Sequence, residues 1–182
     1  IGLRAFAGWD FVEEDLLRAD LVQQGYARGV PMGGELEGAP YGAAPRFMIM
    51  ASKGANDHNL DRVQVVKSWL DGDGNSQEKI FDVAWSGERT ANAAGKLPPV
   101  GSSADIRTGK TTNEIGAEQL TTVWQDPQFD ASSPAVYYVR VLQIPTVRHS
   151  QLDAIALGIE TPFEGPAVIQ ERAYSSPFWY RP

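Results

Sequence analysis

Ala135-Val136-Tyr137-Tyr138-Val139-Arg140-Val141-Leu142-Gln143 is the stretch that decides the fold class. It is dense in β-branched and aromatic residues, alternates in character and holds no glycine, the composition of a strand on a half-buried pleated surface. The closing residues, Ala173-Tyr174-Ser175-Ser176-Pro177-Phe178-Trp179-Tyr180-Arg181-Pro182, read as a second strand that stops at a proline. The final strand is expected over 171–180 and as a partner of 137–143, which sets Arg172 beside Arg140.

Working outward, Leu60 to Leu70 alternates, with Val63, Val65 and Lys67 on one face. Asp71-Gly72-Asp73-Gly74-Asn75 is a tight turn, since Asp-Gly pairs supply positive φ, and Glu78 to Trp85 returns as the hairpin partner. Phe47 to Ala51 and Leu120 to Trp124 are further short strands, and Leu3, Ala5, Ala7 and Trp9 mark a first one. Residues 12–24 change period behind Glu13, Glu14 and Asp15, predicting a helix that ends near Gly25 or Gly29. Residues 150–157 predict a short second helix. Segments 25–45 and 86–116, rich in glycine, proline and polar residues, read as long loops. Strands in hairpin order with few helices predict a mainly β fold: an antiparallel β-sandwich with long Gly/Pro-rich loops and one or two short helices. Val63, Val65, Val83, Trp85, Val139 and Val141 are its expected core. One β-rich domain over 1–182 is expected, with a first strand, helix and Gly-rich loop over 1–45 and the sandwich core over 46–182.

The 182 residues suffice for a core without covalent staples, since chains of this size bury roughly 70% of their unfolded surface. The absence of cysteine excludes disulfides, thiolate metal sites and a cysteine nucleophile. A net charge of −7 without basic runs argues against nucleic acid, whose binding needs clustered Lys and Arg. No apolar run reaches the ~20 residues of a membrane span. The chain opens at Ile1 directly into a strand-like alternation, the mark of a sequence trimmed at its start.

Four segments carry a resemblance: Gly8-Trp9-Asp10-Phe11; Gly25-Tyr26-Ala27-Arg28-Gly29-Val30-Pro31-Met32-Gly33-Gly34; Gly95-Lys96-Leu97-Pro98-Pro99-Val100-Gly101; and Ile169-Gln170-Glu171-Arg172-Ala173-Tyr174-Ser175-Ser176-Pro177-Phe178-Trp179-Tyr180. Together they resemble the C-terminal region of an uncharacterised bacterial domain-of-unknown-function family. Its full-length members look like metal-dependent hydrolases of the polymerase and histidinol phosphatase (PHP) superfamily. The resemblance implies an N-terminal domain with His-x-His metal motifs that this chain does not contain, a divalent metal in that domain and none here. It also implies a periplasmic or secreted location, and the missing domain as the partner. No position here matches the family's metal ligands, so none is carried over.

No catalytic or metal-ligating set stands out. His58 and His149 could join Asp57, Asp61 or Asp153 around a metal, but 54–61 reads as a polar turn before a strand. Asp71, Asp73 and Asn75 have the start of a calcium loop, yet Ser76 and Asp82 stand where that loop needs Gly and Glu. Ser175 and Ser176 lack a Gly-x-Ser-x-Gly elbow. The arginines are more telling. Arg140, inside an apolar strand, needs a polar partner. Either a carboxylate pairs with it and pins two strands, or it contacts an anion or phosphate at the junction with a catalytic domain. Arg172 and Arg28 share the anion or interdomain reading, with Arg4 a fourth candidate. Gly29, Pro31, Met32, Gly33 and Gly34 are the candidate interdomain loop, set against a loop that covers the domain's own core. Trp9, Trp69, Trp85, Trp124 and Trp179 are read either as core and edge cover or as a sugar-stacking platform.

Two functions follow. One is a non-catalytic C-terminal β-domain of a PHP-like metal-dependent hydrolase of the phosphoesterase class, inactive by itself. The alternative is a carbohydrate- or protein-binding β-sandwich module.

Overall fold

The computed structural model describes residues 1–93, 95–159 and 165–182. β1 (Gly2–Gly8) leads through a 3-10 turn (Glu13–Leu17) to α1 (Leu21–Arg28), then β2 (Gly29–Pro31), β3 (Glu35–Glu37), β4 (Arg46–Ser52), β5 (Leu60–Leu70) and β6 (Ser76–Trp85). After two short strands, β7 (Ala104–Asp105) and β8 (Lys110–Thr111), come β9 (Gln119–Gln125), β10 (Ala135–Gln143), β11 (Thr146–Val147), α2 (His149–Leu157), β12 (Val168–Ile169), β13 (Arg172–Tyr174) and β14 (Phe178–Arg181).

Two sheets form the sandwich. The first runs β2-β1-β4-β9 and the second β3-β14-β10-β5-β6, with β13 also on β10. Both draw on strands from either side of residue 46. Period-2 alternation supplies the filling: Ala5, Ala7, Phe47 and Ile49 from one sheet meet Val63, Val65, Tyr137, Val139, Val141 and Phe178 from the other. Phe47 is the hinge of this packing, with its ring centroid 4.9 Å from Tyr137 and 5.5 Å from Phe178. The opposite face of the first sheet is covered. Phe6, Phe11 and Met48 bury themselves there against Leu16 and Val22. α1 approaches closely because residue 25 is glycine: a Cβ there would stand 2.5 Å from the Phe6 ring.

The mainly β sandwich expected from the sequence is present, and the departures have local causes. Residues 12–24 do not form one helix. The Asp15 carboxylate turns back to accept the Val12 N–H at 2.9 Å, tightening the first turn, and the chain restarts as α1 at Leu21. Segment 25–45 is not one loop, since β2 pairs antiparallel with β1 and β3 pairs parallel with β14. The closing strand breaks in two at Ser175–Pro177, giving β13 and β14 along one side of β10. Across the break the Val139 N–H donates to Ser175 Oγ and the Ser175 N–H to the Val139 carbonyl, both at 2.9 Å. Ser175 is therefore a structural residue.

Trp85 is a correction. It was expected in the core with Val83, yet it is 36% exposed. The β5–β6 register steps between Val63↔Ala84 and Gln64↔Asp82, so an extra residue on β6 turns Trp85 to the outer face, opposite Arg62.

Lys67 does share the core-facing row of β5 with Val63 and Val65, and its charge is answered there. Its Nζ donates to Asp126 Oδ2 at 2.6 Å and to the Gln128 carbonyl at 2.7 Å. The Tyr137 hydroxyl donates to the same carboxylate oxygen at 2.8 Å. Burial, then the Asp126 charge, pushes the Tyr137 phenol far above its usual range, so it remains a donor. This cluster ties β5 and β10 of the second sheet to the turn that leaves β9. Asp126→Ala should cost about 3–5 kcal/mol in urea denaturation, because it strands a buried ammonium. A Lys67→Met/Asp126→Leu double variant should recover most of that loss.

Candidate functional site

The outer face of the second sheet carries the candidate site. On β10 the outward residues are Val136, Tyr138, Arg140 and Leu142, lying opposite Ser68, Val66, Gln64 and Arg62 of β5. On the other side Arg140 faces Tyr174 and Leu142 faces Arg172 of β13. The face thus grades from an apolar half, with Trp179, Val136 and Tyr138, to a cationic half around Arg140.

Over the cationic half lies the Gly95–Gly101 segment. Its Leu97 is buried, and the Leu97 and Pro98 carbonyls accept Arg62 Nη1 and Nη2 at 3.4 and 3.0 Å. The organising group beneath is Asp61, 2% exposed. Its Oδ2 accepts Arg62 Nε at 3.0 Å and Gln170 Nε2 at 2.8 Å, while Arg89 Nη2 lies 2.8 Å from Oδ1. Arg62 also reaches Asp82 Oδ2 at 3.3 Å, and Arg89 donates to the Pro98 carbonyl at 3.0 Å. Two carboxylates and two guanidiniums therefore hold three separate segments in place. Between them and β10 opens a groove of about 540 Å³, lined among others by Arg62, Gln64, Lys96, Arg140, Gln170 and Arg172.

Among the described residues Arg140 does not pair with a carboxylate, the partner expected for it as a strand pin. It is half-buried on the outer face, and its Nε donates to Gln64 Oε1 at 2.8 Å. Gln64 Nε2 in turn donates to Asp82 Oδ1 at 2.7 Å. The cross-strand neighbour supplies a neutral amide, so the guanidinium is oriented without being neutralised. The neighbouring Arg172 and then Arg140 guanidiniums hold the Tyr174 phenol below its ordinary ionisation range. Among the described residues neither Arg140, Arg172 nor Lys96 forms an ion pair.

Arg28 lies elsewhere, at the end of α1. Its guanidinium meets Asp15 at 2.8 Å and Asp10 at 3.2 Å and stands 5.3 Å from the Phe11 ring centroid. Arg4 is exposed opposite Met50 on the first sheet. Of the candidate loop, Gly29 and Pro31 are built into β2, and Met32 packs on the core. The Gly33 N–H donates to the Pro177 carbonyl and the Gly34 carbonyl accepts the Trp179 N–H, which knits this segment to β14.

The remaining candidates are spent locally. Asp71 accepts the Asp73 and Asn75 N–H groups and the Gln77 amide, so it serves its own turn. His58 lies 3.6 Å from Asp57 before β5, and His149 is exposed at the start of α2. Among the described residues no three His, Cys, Asp or Glu side chains gather as a metal-holding group. The indoles form no single row: Trp9 packs with Phe129 and Tyr180, Trp124 with Phe47 and Phe81, and Trp179 is 47% exposed. Sequence reasoning weighed Asp61 only as a metal ligand and missed Arg62, Gln64, Asp82, Arg89, Lys96, Gln170 and Tyr174 as site residues. The usable signal was the alternation of β5, which sends Arg62 and Gln64 outward once Val63 and Val65 face the core.

Two outcomes follow. Asp61→Ala should lower stability by about 3–5 kcal/mol and open residues 86–101 to limited proteolysis, because it leaves Arg62 and Arg89 short of a buried counter-charge. At the Arg28 cluster, burial raises the Asp15 carboxyl, but Arg28 and the Val12 N–H outweigh it and leave it below its ordinary value. A carboxyl depressed in the folded state stabilises above its unfolded value of about 3.9 and loses that contribution as pH falls through the folded value. The stability gap between wild type and Asp15→Asn, followed by denaturation from pH 6 to pH 2, should hold above about pH 5 and close below about pH 4.

No curated protein and no solved structure matches the chain. The family model described as "Protein of unknown function (DUF3604)" matches residues 1–182, and the chain belongs to that family.

Proposed function

We propose that this chain is a non-catalytic β-domain that works against a metal-dependent hydrolase domain of the PHP type, acting on phosphoesters, with the second sheet's outer face turned toward that domain. The observation that carries this reading is the asymmetry of the two outer faces. α1 and the 3-10 turn cover the first sheet, whereas Trp179, Tyr174, Ile80 and Arg172 remain exposed on the second. A face left open along its apolar half, with an oriented cationic half at the edge of the Gly95–Gly101 segment, suits a partner surface more than bulk water. In this reading the divalent metal belongs to the neighbouring domain, and this chain shapes the approach to it. The periplasmic or secreted setting expected from the family resemblance belongs to the same proposal.

The carbohydrate-module reading has less behind it, since the Tyr138 and Tyr174 rings on this face are tilted 45° to one another and do not form a flat platform. The purified chain, assayed on phosphomonoesters and phosphodiesters with added Mn²⁺, Zn²⁺ or Mg²⁺, should show no turnover and bind no stoichiometric metal. Phosphoesterase activity with one metal per chain would overturn the proposal.

A further inference from the structure

The geometry points to a binding site for a doubly charged tetrahedral oxyanion, phosphate or sulfate in chemistry, in the groove between the Gly95–Gly101 segment and β10, held by Arg140 and Arg172 with Lys96 at the rim. The site is a property of this chain and does not rest on the hydrolase reading.

The charges make the case. Arg62 and Arg89 are matched by Asp61 and Asp82. Among the described residues Arg140, Arg172 and Lys96 are left over, three cations on one groove in a chain of net charge −7. Arg140 is not a loose surface arginine. Its Nε is fixed on Gln64, and Gln64 on Asp82, so the terminal nitrogens are aimed before anything binds. Arginine's planar fork favours an oxyanion that can take two N–H groups at once. Arg172, one register step along the same face, adds a second fork beside it. Both guanidiniums border the same groove, with Tyr174 directly across from Arg140 and Arg172 two residues along the same face, so the two forks flank one space. The floor is made of the Gln64 and Gln170 carboxamides, and Gln170 is itself fixed by Asp61 and the Gln143 carbonyl. A preorganised site of this kind spends little ordering entropy on its guest.

Calorimetric titration of the chain with sodium sulfate and with inorganic phosphate at pH 8, against a sodium chloride background of matched ionic strength, tests this. Both anions should bind with 1:1 stoichiometry, and acetate about tenfold more weakly, since it offers one charge to two guanidiniums. Arg172→Gln, an exposed position that leaves the fold intact, and Arg140→Gln should each weaken sulfate at least about tenfold, whereas Arg181→Gln, paired with Glu35 outside the groove, should not. A second readout is the ionisation of Tyr174, taken as the ultraviolet difference between wild type and Tyr174→Phe. Sulfate should move it upward by screening both guanidiniums. Absence of saturable binding, equal affinity in the Arg172→Gln variant, or equal affinity for acetate and sulfate would each overturn the assignment.

Discussion

The buried carboxylate of Asp61 is the constraint on which this structure most depends. It stands at the start of β5, the second residue of the strand, and is 2% exposed. A charge so placed is tolerable only if hydrogen-bonding cations surround it. Two cations and an amide answer it here: Arg62 beside it donates to Oδ2, Arg89 after β6 stands as the second counter-charge, and the Gln170 carboxamide ahead of β13 donates to Oδ2. Satisfying one carboxylate therefore fixes the polar excursion after β6 and the lead into the closing strands. At the far end of β5, Lys67 imposes the mirror constraint, an ammonium in the core row that brings in Asp126 and the turn after β9. One central strand thus carries a buried charge of each sign near its two ends, and the long irregular segments are placed by what those charges require.

Much of the fold was legible because alternation is local. β5, β6, β9, β10 and α2 lie close to where periodicity put them, and the pairing of β10 with the closing segment is present at Tyr137↔Phe178 and Leu142↔Arg172. The misreadings share a cause, which is that a single residue can reset the phase without changing composition. The bulge on β6 turns Trp85 outward, and no count of apolar residues signals it. Gly25 and Gly29 looked like loop residues. One lets a helix touch Phe6, and the other, where a Cβ would stand 2.3 Å from the Ala7 carbonyl, lets β2 lie against β1. Glycine marks close approach as readily as it marks a turn.

The site was half legible for a different reason. Arg140 could be flagged from its apolar neighbours, but its partner Gln64 is 76 residues away, and Gln170 meets Asp61 across 109. Contacts at that separation become visible only once strand register is known. Two of the four segments on which the family resemblance rests, Gly95–Gly101 and Ile169–Tyr180, meet at the groove. The other two, Gly8–Phe11 and Gly25–Gly34, meet around Arg28. The resemblance therefore marks two spatial clusters and not four scattered motifs.

Those clusters use arginine in opposite ways. Arg28 has two carboxylates and an aromatic face, and its charge is spent on closing the corner between α1 and β1. Arg140, among the described residues, is held by a carboxamide in place of a carboxylate, which fixes its geometry and leaves its charge intact. A half-buried arginine whose work was purely structural would be better served by a carboxylate, since an ion pair offsets more of the desolvation cost than an amide can. β6 places the Asp82 carboxylate within reach of Arg62 on this same face, so an acidic partner was geometrically available. Gln64 instead stands between Arg140 and Asp82 as a spacer, transmitting orientation while withholding neutralisation. An arrangement that stabilises a guanidinium's direction without cancelling its charge makes sense where the counter-charge arrives from outside the chain.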